Sequence, residues 1–104
     1  MKKLVFFVPK ANAEIVKDAV FDAGAGTIGN YDRCSFEVEG VGQFRPNQEA
    51  NPHIGRNGEI EKVVELKVET ICPDNKVKEV LEALKKAHPY EEPAIDLYDL
   101  VNFD

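Results

Sequence analysis

The sequence predicts an α+β fold of β-α-β-β-α-β order, and three observations carry that prediction. The spacing of apolar residues changes along the chain, from a continuous run to steps of three and four and then to strict alternation. Two halves repeat each other, each reading strand, then Val8-Pro9 or Cys72-Pro73, then helix, turn and strand. With 104 residues, 43% of them hydrophobic and 31% charged, the chain has material for one core, expected as a single domain over residues 1–104.

Leu4 to Val8 is an unbroken apolar run rich in β-branched and aromatic residues, which predicts a central strand covered on both faces. Asn12 stands where it can cap a helix, with Glu14 in the first turn; Ile15, Val16, Ala19, Val20 and Ala23 share one helical face, and Gly24 ends it. Cys34, Phe36 and Val38 alternate with Ser35, Glu37 and Glu39, predicting a half-buried strand with its glutamates outward. A glycine-rich stretch from Gly40 to Gly58 follows. Val64, Leu66 and Val68 alternate with Glu65, Lys67 and Glu69 in a third, longer strand that pairs with the second as a hairpin and exposes its glutamates. Asp74 is placed to cap a second helix whose face is Val77, Val80, Leu81 and Leu84, and Pro89 ends it. Ile95, Leu97, Tyr98 and Leu100 make the last strand.

Assembled, this is a ferredoxin-like sandwich: both helices on one face of a four-stranded antiparallel sheet. The other face is left open. The first strand is apolar on both sides, and Tyr98 and Leu100 lie opposite Ile95, so the open face needs a partner surface. Self-association is the simplest supply.

A formal net charge of −6 repels a phosphate backbone, and lysine and arginine never cluster beyond pairs such as Lys2-Lys3 and Lys85-Lys86, which argues against nucleic acid. The apolar run before Pro9 is too short for a signal-peptide core or a membrane span, so no membrane association is expected and the cytoplasm is the expected compartment. Cys34 and Cys72 form no CxxC pair and are expected as reduced thiols, brought near each other by the hairpin at one end of the paired strands.

Gly24-Ala25-Gly26-Thr27-Ile28-Gly29 matches GxGxxG as letters, but a helix precedes it and a strand follows, the reverse of a dinucleotide loop. The glycines are expected to supply a helix stop and a tight turn. His88 and Glu92 have HxxxE spacing, yet Pro89 and Pro93 break any shared helix, leaving His88 near a helix C-terminus while Tyr90 packs its own ring, or else His88 in a ligand site at a subunit interface. The segment from Gly42 to Arg56 is long for a connection, and Arg45, His53 and Arg56 make it locally cationic. It is either an anion-holding loop or a solvated hairpin tip. The lone serine, Ser35, has no histidine beside it in sequence, so hydrolase chemistry through serine or cysteine has no support and no catalytic residue is assigned.

Gly24 to Phe36, followed by Gly42-Gln43-Phe44-Arg45-Pro46, resembles the middle domain of YqfO-type, Nif3-like proteins. His88-Pro89-Tyr90-Glu91-Glu92-Pro93-Ala94-Ile95-Asp96 resembles both that domain and the closing segment of CutA-type divalent-cation-tolerance proteins. The resemblance implies a PII/CutA-like fold, a trimer, and a stand-alone counterpart of a domain whose metal-binding flanks lie elsewhere. It directs attention to clefts between subunits lined by Phe44, Arg45, His53 and Arg56 from the hairpin loop and by His88, Tyr90, Glu91 and Glu92, holding a small anion or a divalent metal ion on His53 and His88. A rival reading is a metal-dependent hydrolase of the GTP cyclohydrolase type 2 kind, with ligands from Cys34, His53, His88, Glu91 and Glu92; another is a structural partner of a larger protein.

Overall fold

The computed structural model describes residues 1–103. Its elements are β1 (Lys2–Pro9), α1 (Ala13–Asp22), β2 (Phe36–Phe44), β3 (Glu61–Cys72), α2 (Val77–Ala87) and β4 (Ile95–Asp99), the predicted order. The strands form one antiparallel sheet in the order β2-β3-β1-β4, with β1 central as its apolar run requires. Leu4, Phe6 and Val8 of β1 face the helices and join Leu66 and Val68 of β3, Val16 and Val20 of α1, and Val80 and Leu84 of α2 in one core. No helix among the described residues is long and apolar enough to cross a membrane.

The repeated residue-proline pairs have a structural cause. Pro9 and Pro73, at φ −53° and −59°, each start a single turn of 3-10 helix, Lys10–Asn12 and Asp74–Lys76, that leads into the α-helix. α2 therefore begins later than an Asp74 cap suggests, while α1 starts at Ala13 directly after Asn12 as expected; neither Asn12 nor Asp74 caps with its side chain. Asp74 instead accepts from the N-terminal ammonium at 2.8 Å. Ile15 also departs from the expected face: it is 65% exposed, while Ala13, Val16 and Val20 are buried.

A larger correction concerns β2. The pairings Glu37↔Val68 and Glu39↔Leu66 put both glutamates on the helix side, where Lys17 and Lys10 meet them at 2.8 and 2.7 Å. Phe36 and Val38, expected inside, sit on the open face at 64% and 45% exposure. Directly opposed residues share a face, so the buried set of β3 dictates the facing of β2 whatever the polarity of β2 itself. The strand also runs on through Gly40 and Gly42 to Phe44, making a long hairpin in a molecule of 49 × 24 × 24 Å.

The glycine run after α1 is a turn, with positive φ at Gly24, Gly26 and Gly29. Gly26 N–H donates to the Ile71 carbonyl and Cys34 N–H to the Gly26 carbonyl, both at 2.8 Å, tying the turn to the sheet. Thr70 donates to the Cys34 carbonyl at 2.6 Å, so Cys34 lies at the Cys72 end of β3; both thiols are free, and burial pushes the Cys72 thiol up from its ordinary pKa.

Two truncations separate the core from its surroundings. Leu84→Ala is expected to lower the unfolding free energy by about 2–5 kcal/mol, because Leu84 is fully buried. Ile15→Ala should change it by less than about 0.5 kcal/mol. Urea titrations of both variants check this; a large loss at Ile15 contradicts the facing of α1.

Candidate functional site

α2 stops at Ala87 because His88, ahead of Pro89, takes an extended conformation with φ −72° and ψ 136°. The turn sends the His88 ring inward to 6% exposure. Its Nε2–H donates to the Phe7 carbonyl at 2.7 Å, and its Nδ1 accepts from the Tyr90 backbone N–H at 3.1 Å. A carbonyl only accepts and an N–H only donates, so these partners define a neutral, Nε2-protonated imidazole. Burial lowers the His88 pKa below its ordinary value, outweighing the opposing effects of the Phe7 carbonyl and the Glu65 charge, and the His53 charge adds to the lowering.

Tyr90 follows from that anchor. Its ring stands edge-on to Phe44 with centroids 5.6 Å apart and tilts against His88 at 5.1 Å. Its hydroxyl donates to Glu65 Oε2 at 2.8 Å. Burial, then the bond to Glu65 and the charges of Glu65 and Glu61, raise its pKa above the usual tyrosine value. Glu65 reaches this position across β2, where its carboxylate lies over Gly42 and occupies the space a Cβ there would take. Gly42 is thus required for room rather than for an unusual φ.

Around Tyr90 opens a cavity of about 330 Å³, within the range of small-molecule sites. Residues 45–58 fold over it. Gly58 N–H donates to the Pro46 carbonyl at 2.6 Å, the Asn57 side chain donates to the carbonyls of Gln48 and Ala50 at 3.3 Å, and Asn51 N–H donates to Glu91 Oε1 at 3.2 Å. This last bond joins the loop to the segment before β4.

Of the residues singled out in the sequence, Phe44, Arg45, His53, Tyr90, Glu91 and Glu92 line this one cavity, within a single chain. Arg56 does not line it, and His88 lies behind Tyr90 as its support. Cys34 lies apart, in a hollow with Ser35 and Phe36. Among the described residues no group of three or more His, Cys, Asp or Glu side chains is placed to hold a metal ion. With both ring nitrogens engaged, His88 could ligate a metal only by giving up one of its bonds. Phe7 and Glu65 also line the cavity, although sequence alternation alone marks Glu65 only as part of a charged outer face. A signal for it was present, because glycines at alternate positions of β2 leave a face without side chains beside a glutamate of β3.

Two predictions follow from this geometry. Tyr90→Phe should cost about 1–2 kcal/mol by removing a hydrogen bond to a charged acceptor, and Gly42→Ala should displace the Glu65 carboxylate and lose much of the same bond, both read as urea midpoints. The second concerns pH. His88 binds its proton less readily folded than unfolded, so its contribution is complete above the unfolded pKa of about 6.5 and is lost as pH falls through the lower folded value. The wild-type midpoint should drop between pH 7.5 and 5.5 by more than that of His88→Gln; equal drops would show that His88 does not carry the effect.

No protein-family model matches the sequence. The chain is 50% identical over 100 residues to the GTP cyclohydrolase 1 type 2 homolog of Halalkalibacterium halodurans, covering 96% of this chain and 27% of that protein. It is 48% identical over 98 residues to the protein of the same name from Bacillus subtilis, covering 94% of this chain and 26% of that protein. The chain thus spans about a quarter of the length of the curated relatives it matches. Among solved structures, a Bacillus cereus protein related to NIF3 superposes with a TM-score of 0.82 at 46% identity, over 97% of this chain and 26% of that one. CutA1 from Pyrococcus horikoshii superposes with a TM-score of 0.70 at 20% identity, over 100% of this chain and 87% of that one, a likeness of fold. Over nearly its whole length the chain is a homologue of one segment of the Nif3-related GTP cyclohydrolase 1 type 2 homologs, folded as the CutA proteins are.

Proposed function

We propose that this chain is a trimeric binding or regulatory module of the cytoplasm whose cavity, between the hairpin loop and the segment before β4, holds a small molecule with an anionic group. The observation that carries this is the cavity itself: six of the eight residues marked in the sequence line it, with aromatic walls and the Arg45 guanidinium and His53 imidazole on its lining. Arg45 supplies paired donors for a carboxylate or phosphate, and His53 can add a second. A trimer is supported by the open sheet face, which leaves Phe36, Val38 and Tyr98 uncovered.

The names of the relatives favour a second reading, in which this segment serves a metal-dependent GTP cyclohydrolase. The chain's share in such an activity is read as binding, since among the described residues no group of three or more His, Cys, Asp or Glu side chains is placed to hold a metal ion.

Calorimetric titration with inorganic phosphate should give binding that weakens about ten- to a hundredfold in Arg45→Ala, the cost of about 1.5–3 kcal/mol for one hydrogen bond to a charged group. A parallel titration with divalent cations tests the metal reading, which gains if binding is lost in His53→Ala. Absence of phosphate binding, or full affinity in Arg45→Ala, removes the anion site. Light scattering should return three times the chain mass, falling in Phe36→Glu; a monomer at high concentration ends the trimer reading.

A further inference from the structure

Glu65 stands on the cavity lining without a cation. Glu37 and Glu39 each have a lysine within 2.8 Å, but no lysine, arginine or histidine among the described residues forms an ion pair with Glu65, not even Lys67 on the same face of β3. One of its oxygens, Oε2, is held by the Tyr90 hydroxyl, and the other, Oε1, lies over Gly42 with no hydrogen bond to it among the described residues. A carboxylate oxygen free of a donor on a cavity wall is open to an N–H-bearing cation, which makes a charge-assisted bond with it. The walls around it suit such a cation. Phe7, Phe44 and Tyr90 line the same space, and aromatic rings attract a desolvated cation. Glu91 and Glu92 add negative charge to the lining.

From this arrangement we infer that Glu65 is a ligand-recognition residue, taking an organic cation that carries N–H donors, a primary ammonium or an amidinium, against the aromatic walls. The inference rests on the binding role proposed above and narrows its substrate class: the ligand carries an N–H-bearing positive head at Glu65 and an anionic group at Arg45 and His53. Tyr90 positions the carboxylate by holding Oε2, and Gly42 leaves the space in which it lies.

Benzamidine is a suitable probe, with benzyl alcohol as its neutral counterpart. Amide chemical shifts of the wild-type protein should move around Phe44, Glu65 and Tyr90 on adding benzamidine, and benzyl alcohol should bind more weakly. Glu65→Gln, which keeps the shape of the side chain, should weaken benzamidine about tenfold or more, since a charge-assisted bond becomes a neutral one. Its urea midpoint shows whether the variant is folded, and the wild-type shift map localises the site even if it is not. Equal affinity of Glu65→Gln for benzamidine, equal binding of benzyl alcohol, or shifts confined elsewhere overturns the inference. Phosphate titration of the wild type separates the two ideas. Phosphate binding without benzamidine binding sinks the cation site alone, and the reverse result sinks the anion site alone.

Discussion

The site depends on one hydrogen bond, from His88 Nε2–H to the carbonyl of Phe7. The ladder between β1 and β4 ends at Phe6↔Ile95, which leaves the backbone of Phe7 on that edge without a strand partner. A central strand cannot leave polar groups unpaired in a dry interior. The Ala94 carbonyl takes the Phe7 N–H, and the imidazole takes the carbonyl. A neutral histidine suits this position because its second nitrogen still accepts, here from Tyr90 N–H, so a single ring completes the sheet edge and orients the residue that walls the cavity. Burial of His88 thereby links the core to the site.

Much of the fold was legible because strand and helix periods differ and because the two halves repeat. The central position of β1 followed from its continuous apolar run. The facing of β2 did not follow, since its alternation points Phe36 and Val38 inward, whereas the decision belongs to the buried residues of β3 that pair with Glu37 and Glu39. Asp74 misled for a related reason: a capping residue marks where a helix can begin, but Pro73 had already set the chain turning, whereas Asn12 does stand at the start of α1.

The candidate site was legible in its loops and obscure in its strands. Arg45, His53 and Glu91 stand in segments whose length and composition draw attention, and they do share a cavity. Glu65 looked like any other glutamate of an alternating strand. Its difference lies in what surrounds it: a glycine across the sheet, a tyrosine hydroxyl from a distant segment, and no ion pair to a lysine among the described residues. Those neighbours are brought together by register and by the turn at His88, which local sequence does not encode.

The same geometry sets metal chemistry and organic binding against each other at this site. A metal on His88 needs a free nitrogen lone pair, and the available one, on Nδ1, holds the Tyr90 backbone. Taking it would release the ring that faces Phe44 and the hydroxyl that holds Glu65. His53, exposed on the loop, carries no such obligation among the hydrogen bonds of the described residues and can meet an ion or an anion without disturbing the core. The two histidines therefore stand differently: both ring nitrogens of His88 are engaged in building the cavity, and His53 lies exposed on its lining.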